Sequence, residues 1–140
     1  MIVLDTNVVS ELAKPAPNPS VIDWIDAHES AELVITALTA AEVRAGVALL
    51  PSGRRKRQVG QLMEALLTET FAGHVLAFDV DSTPHYADIL ARRNRAGRAI
   101  GAVDAQIAAI SRQHHATLAT RNIADFTDTG VGLINPWTVD

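Results

Sequence analysis

The chain has 140 residues, 48% hydrophobic and 20% charged, with 12 Lys and Arg against 16 Asp and Glu and a formal charge of −4. That balance excludes an intrinsically disordered chain and argues against a protein that coats nucleic acid non-specifically, which is normally basic overall. The absence of cysteine excludes a disulfide scaffold, a zinc–thiolate site and thiol nucleophile chemistry.

A chain of this length buries about two thirds of its unfolded surface, so one domain over residues 1–140 is expected, without disulfide or metal staples. The N-terminus lacks the charged, apolar and small-residue pattern of a secretory signal. No apolar run reaches the ~20 residues of a membrane helix. The expected location is therefore cytoplasmic, with no membrane partner.

Ile2-Val3-Leu4 reads as a short buried strand that runs into Asp5-Thr6-Asn7. Val8 to Lys14 is expected to form a helix of about two turns, ended by the prolines at 15, 17 and 19. Ser20 is placed to cap a helix carrying Val21, Ile22, Trp24 and Ile25 to near His28. Leu33-Val34-Ile35 reads as a second strand. Thr39 is the expected cap of a helix from Ala40 to about Leu50, with Glu42 in its first turn. Pro51-Ser52-Gly53 breaks it.

A longer helix is expected over Arg54–Thr70, its apolar stripe Val59, Leu62, Met63, Leu66 and Leu67. His74 to Phe78 reads as a strand, Thr83 to Arg95 as a helix ended at Gly97, and GAVDAQIAAISRQH as another helix. Thr117-Leu118-Ala119 is a strand followed by the polar turn Thr120-Arg121-Asn122, and the glycine-flanked Leu133-Ile134 marks one more. Short apolar strands alternating with helices predict an α/β fold with a short, mostly parallel central sheet. Most of the Lys and Arg residues fall in two blocks, Arg54-Arg55-Lys56-Arg57 and Arg92, Arg93, Arg95 and Arg98. These blocks are solvated helix faces, a track for a polyanion, or a surface for a partner.

Sites in open α/β sheets lie beyond the carboxyl ends of the strands. Asp5 follows the first strand, while Asn122 and Asp125 follow the strand at 117–119. Glu42 and Asp104 stand early in helices that pack on the sheet. Each alone has an ordinary explanation: a helix-start acid for Glu42 and Asp104, an Asx-turn for Asp5, a surface acid for Asp125. Gly46, four residues after Glu42, and Ala108, four after Asp104, leave space beside those carboxylates, or else permit close helix packing. Carboxylates gathered in one pocket raise one another's pKa unless a cation lies between them. With oxygen donors dominant, that cation is Mg²⁺ or Mn²⁺ rather than zinc, and its matching chemistry is phosphoryl transfer to water.

Four blocks in order, LDTNVVSEL, TALTAAEVRAGV, GRAIGAVDAQIAAIS and LATRNIADF, resemble those of PIN-domain ribonucleases. The likeness is to toxins of bacterial toxin–antitoxin pairs of the virulence-associated protein C type. SELAKPAPNPSVIDWI, FAGHVLAFD and INPW resemble the fast intracellular trafficking protein B branch. The resemblance implies a three-layer α/β/α fold and a metal-dependent endoribonuclease that leaves 5′-phosphate and 3′-hydroxyl ends. It implies Asp5, Glu42 and Asp104 as holders of Mg²⁺ or Mn²⁺, supported by Thr6, with Asn122 where the family often has aspartate and Asp125 beside it. Arg44, Arg93 and Arg98 are candidate phosphate contacts, or partners for an acid of the pocket. It further implies a homodimer and a cognate antitoxin that blunts the site and itself reads operator DNA. Two other readings stay open: a different enzyme of the same chemistry, such as a structure-selective DNA nuclease or a phosphatase, and a catalytically weak module that binds its partner in a DNA-binding complex.

Overall fold

The computed structural model describes residues 1–139. In chain order its elements are β1 (Ile2–Leu4), α1 (Thr6–Leu12), α2 (Pro19–Asp26), β2 (Leu33–Thr36), α3 (Ala37–Ala48) and α4 (Arg54–Ala65). There follow β3 (Val75–Leu76), α5 (Thr83–Arg95), α6 (Ala102–Gln113), β4 (Thr117–Ala119) and β5 (Gly132–Ile134). The strands form one sheet in the order β3-β2-β1-β4-β5, and every pair is parallel.

Strands this short are stable because both faces are covered. Residues alternate across a strand, so Leu4, Leu33, Ile35 and Ala119 point to one face and Val3, Val34 and Leu118 to the other. The first face packs on Val8 and Val9 of α1, Val21 and Trp24 of α2, Val43 of α3 and Met63 of α4. The second packs on Ile89 of α5 and on Ala105, Ile107, Ala108 and Ala109 of α6. The result is the three-layer α/β/α arrangement, with near-continuous apolar strands as expected for a sheet buried on both sides.

Several helix starts differ from the sequence expectation, always because a nearer polar side chain captures the free amides. α1 begins at Thr6, since the Asp5 carboxylate accepts from the Thr6 N–H and caps it, so Asp-Thr-Asn is a helix start and not a separate turn. Asn18 rather than Ser20 caps α2, with Pro19 in the first position where its missing N–H costs nothing. Thr36, not Thr39, caps α3 by accepting from the Thr39 N–H. Consequently α3 starts three residues early and Glu42 falls in its second turn. The 54–70 helix continues past α4 as a single π turn over Leu66–Thr70, and the strand expected at 74–78 shrinks to two residues.

The two basic blocks do not combine. Arg54–Arg57 open α4 on one layer, whereas Arg92–Arg98 close α5 on the other.

Leu118 is fully buried in the interior strand β4. Leu118→Ala should cost about 2–5 kcal/mol, the cost of deleting a buried side chain without collapse of the site. A lower urea midpoint at unchanged slope would show it; an unchanged midpoint would contradict the described packing.

Candidate active site

The chain leaves β1 toward β2 and β3 on one side, then returns to place β4 and β5 on the other. The carboxyl ends of β1 and β4 therefore border the point where strand order reverses, the usual position for a site in such sheets. Asp5 and Thr120 are the residues that emerge there, tied down by the Asp5 N–H donating to the Ala119 carbonyl at 2.9 Å.

Asp5 is 5% exposed, and its carboxylate is held from several directions. The Thr6 N–H donates to Oδ1 at 2.8 Å, and the Thr120 hydroxyl donates to Oδ2 at 2.8 Å. The Asn7 amide reaches Oδ2 at 3.4 Å. Thr120 Oγ1 in turn accepts from Asn7 Nδ2 at 3.3 Å and from the Asn122 N–H at 3.0 Å. One buried hydroxyl thus connects the first and fourth blocks of the sequence. Glu42 is exposed, and the Thr6 hydroxyl donates to its Oε1 at 2.6 Å, while the Thr6 and buried Thr39 hydroxyls lie 3.2 Å apart. Asp104 is half-buried in the first turn of α6.

The carboxylates feel one another. Burial pushes the Asp104 carboxyl up to about 6, assisted by the negative charges of Asp5, Asp125 and Glu42, with Arg93 opposing. Burial also raises Asp5; the hydrogen bonds from Thr120 and Thr6 work against it, and Glu42 and Asp125 add to it. The structure therefore brings Asp5, Glu42, Asp104 and Asp125 within electrostatic reach at one end of the sheet. Asn122 precedes the turn that carries Asp125 and, like Asp125, is exposed; of Asn122 only the backbone N–H joins the network.

In kind and charge this all-oxygen donor set fits a hard divalent cation. Among the described residues no group of three acids or histidines is arranged to hold an ion as it stands. Gly46 does not serve close packing, because a Cβ there would meet nothing within 4 Å. It lines, with Glu42, Val43, Val47 and Met63, a groove of about 570 Å³ bounded by α1, α3 and α4. Glu42 thus belongs both to the acidic cluster and to the rim of a largely apolar channel.

The three candidate phosphate contacts are otherwise engaged. Arg44 forms a two-pronged pair with Glu64 of α4 at 2.8 and 3.2 Å. Both partners are exposed, so this pair is weak and exchangeable. Arg98 donates to Thr127 Oγ1 at 2.9 Å. Arg93 is 5% exposed and donates to carbonyls of the chain itself, which removes it as a phosphate contact. Thr120 and Asn7, by contrast, were not among the expected supports. The same signal that marked Asp5, a polar residue at the tip of an apolar strand, also marks Thr120.

Residues 2–131 match the PIN domain family model. The chain belongs to the PIN-domain family. Over 137 residues, 98% of this chain, it is 44% identical to plasmid stability protein StbB of Pseudomonas syringae pv. tomato and 42% identical to VapC ribonuclease Y4jK of Sinorhizobium fredii, covering 99% and 98% of those proteins. It is 40% identical over the same length to toxin FitB of Neisseria gonorrhoeae, 99% of which is covered. Among solved structures, that of FitAB bound to an IR36 DNA fragment aligns with TM-score 0.93 at 40% identity, covering all of this chain and 98% of the other. The PIN architecture explains why residues so distant in sequence as Asp5 and Thr120 share one hydrogen-bonded tip.

Two outcomes follow from these PIN-domain contacts. The Asp104 carboxyl binds its proton up to about pH 6 in the fold, against 3.8 as the ordinary value, so its destabilising effect is absent below the lower value and complete above the upper one. Asp104→Asn should therefore raise the thermal midpoint of the metal-free protein at pH 7 by a few degrees, with a smaller gain at pH 5. Equal midpoints at pH 7 would mean that neither burial nor the neighbouring acids penalise the Asp104 carboxylate. Thr120→Val removes the short bond to Asp5 and should cost about 1–3 kcal/mol; denaturant unfolding reads this directly.

Proposed function

We propose that this PIN-domain protein is a metal-dependent endoribonuclease, the toxin of a toxin–antitoxin pair, formed as one cytoplasmic domain. The observation that carries this reading is the gathering of Asp5, Glu42, Asp104 and Asp125 at the strand-order reversal, where burial and mutual repulsion raise Asp5 and Asp104. Groups that repel in the free protein are suited to bind a dication. The resemblance to proteins named VapC ribonuclease and toxin FitB supports the same reading.

Asp5, Glu42 and Asp104 would hold Mg²⁺ or Mn²⁺, with Asp125 adding charge and Asn122 positioning solvent. Such an ion, when bound, supplies an activated water at neutral pH and stabilises charge on the phosphate. Thr6 keeps Glu42 directed toward the cluster, and Thr120 fixes the Asp5 carboxylate so that one face of it stays available. Hydrolysis by water needs no 2′-hydroxyl nucleophile, so preference for RNA comes from contacts along the surface. Arg44 is the accessible cation on the helix that carries Glu42, and exchange of its weak pair with Glu64 would free it for a phosphate.

The cognate partner is an antitoxin. Its inhibitory segment would lie in the groove between α1, α3 and α4, whose floor of Val43, Val47, Leu62 and Met63 suits apolar side chains and whose rim ends at Glu42. An arginine at the end of that segment would find carboxylates whose repulsion the buried Arg93 only partly offsets. The assembly would be a toxin homodimer with its antitoxin, the antitoxin providing contact with operator DNA, in keeping with the acidic charge of this chain. The exposed, uncharged Asn122 favours a second reading in which cleavage is weak and partner binding is the main role.

The deciding experiment follows cleavage of mixed RNA by antitoxin-free protein in Mg²⁺ or Mn²⁺. EDTA or Asp104→Asn should each lower the rate about 10²-fold or more, the equivalent of several kcal/mol of lost charge stabilisation. Cleavage indifferent to both would rule out the assigned pocket. Absence of cleavage together with absence of metal binding would favour the partner-binding role.

A further inference from the structure

Arg93 is the most deeply buried cation of the chain's two basic blocks, and the chemistry above does not use it as a ligand. None of the ion pairs among the described residues includes it. A guanidinium at 5% exposure without a carboxylate partner must be satisfied by neutral acceptors, and the acceptors found are informative. Nε donates to the Arg98 carbonyl at 2.6 Å. Nη1 donates to the Thr127 carbonyl at 2.8 Å, with the Thr127 hydroxyl at 3.3 Å and the Ala124 carbonyl at 3.4 Å.

These acceptors lie on two separate segments. Arg98 belongs to the turn that leaves α5 through Gly97, at φ +70°, and leads into α6, whose first turn carries Asp104. The Arg98 N–H returns a bond to the Arg93 carbonyl at 2.9 Å, so the two residues lock this turn reciprocally. Ala124 and Thr127 belong to the helical turn Ile123–Phe126 and its end, which carries Asn122 and Asp125. The Arg98 guanidinium reinforces the second segment by donating to Thr127 Oγ1 at 2.9 Å.

We propose that Arg93 is a positioning residue that sets Asp104 and Asp125 relative to each other by tying the entry of α6 to the 123–127 turn. This rests on the nuclease reading of the acidic cluster but adds a residue that touches neither substrate nor ion. The planar fork is what the role needs. A lysine carries the charge but has one nitrogen, and it cannot serve both segments in fixed directions. Arg93 therefore acts through geometry, and the carboxylates it spaces do the chemistry.

The test compares the parent with Arg93→Lys, Arg93→Ala and Thr127→Val by RNA cleavage, and by hydrogen exchange of the amides at 97–101 and 123–127. Arg93→Lys should lower kcat about 10²-fold with KM little changed, the cost of a small misplacement of reacting groups. Both segments should exchange faster together. Millimolar guanidinium, too dilute to unfold the protein, should restore part of the activity of Arg93→Ala and leave the parent unaffected. Thr127→Val should speed exchange in the 123–127 segment more than in the other.

Full activity in Arg93→Lys would mean that charge alone matters and would overturn the proposal, as would unaltered exchange in either segment. Should Arg93→Ala fail to fold, the lysine variant still decides. A parent that neither cuts RNA nor binds metal would defeat the nuclease reading, whereas the exchange measurements would continue to test the tether.

Discussion

Like charges at the end of a sheet only a few residues deep constrain everything around them. Asp5, Glu42, Asp104 and Asp125 raise one another's energy, yet Asp5 and Glu42 cannot swing away without giving up hydrogen bonds that hold the structure together. Asp5 begins α1 and receives the Thr120 hydroxyl; Glu42 receives the Thr6 hydroxyl. Asp104 sits in the first turn of α6, where the free N–H groups favour a negative charge. Packing on both faces of the sheet supplies the free energy that keeps this arrangement together. The repulsion is stored in the folded state, ready to be relieved by a cation from solvent or from a partner.

The framework was largely legible because strands and helices here obey their local rules. Ile2–Leu4 and Thr117–Ala119 read as apolar runs too short for helices, and Thr83–Arg95 carries its own start and stop signals. Helix starts were less legible, since choosing between Asn18 and Ser20, or between Thr36 and Thr39, depends on which side chain reaches a free amide first. Sequence spacing alone does not resolve that competition. β3 was overestimated because an edge strand needs a partner along its whole length, and β2 offers pairing only at Ile35 and Thr36.

The convergence of Asp5, Glu42, Asp104 and Asp125 was legible from their place near strand tips and helix starts, and from family likeness. The Thr6 hydroxyl was expected but the Thr120 hydroxyl was not, because a threonine after a strand reads as an ordinary turn residue until the opposite strand is in place. Arginines were the hardest to interpret. Arg92, Arg93, Arg95 and Arg98 form one block in sequence, but helical periodicity sends Arg93 inward while its neighbours stay exposed. A cluster of positive charge in a sequence is thus several different environments in a helix.

The capping role of Asp5 has a consequence for inheritance. Asparagine caps a helix about as well as aspartate, and one nucleotide separates their codons. The residue most central to the acidic cluster can therefore lose its charge while α1 keeps its start and the groove beside it keeps its walls. Silent copies of such a protein are close at hand in sequence space. They would keep the capped helix and the walls beside it, so a single base change can dismantle the charge of the acidic cluster without touching the architecture that assembles it.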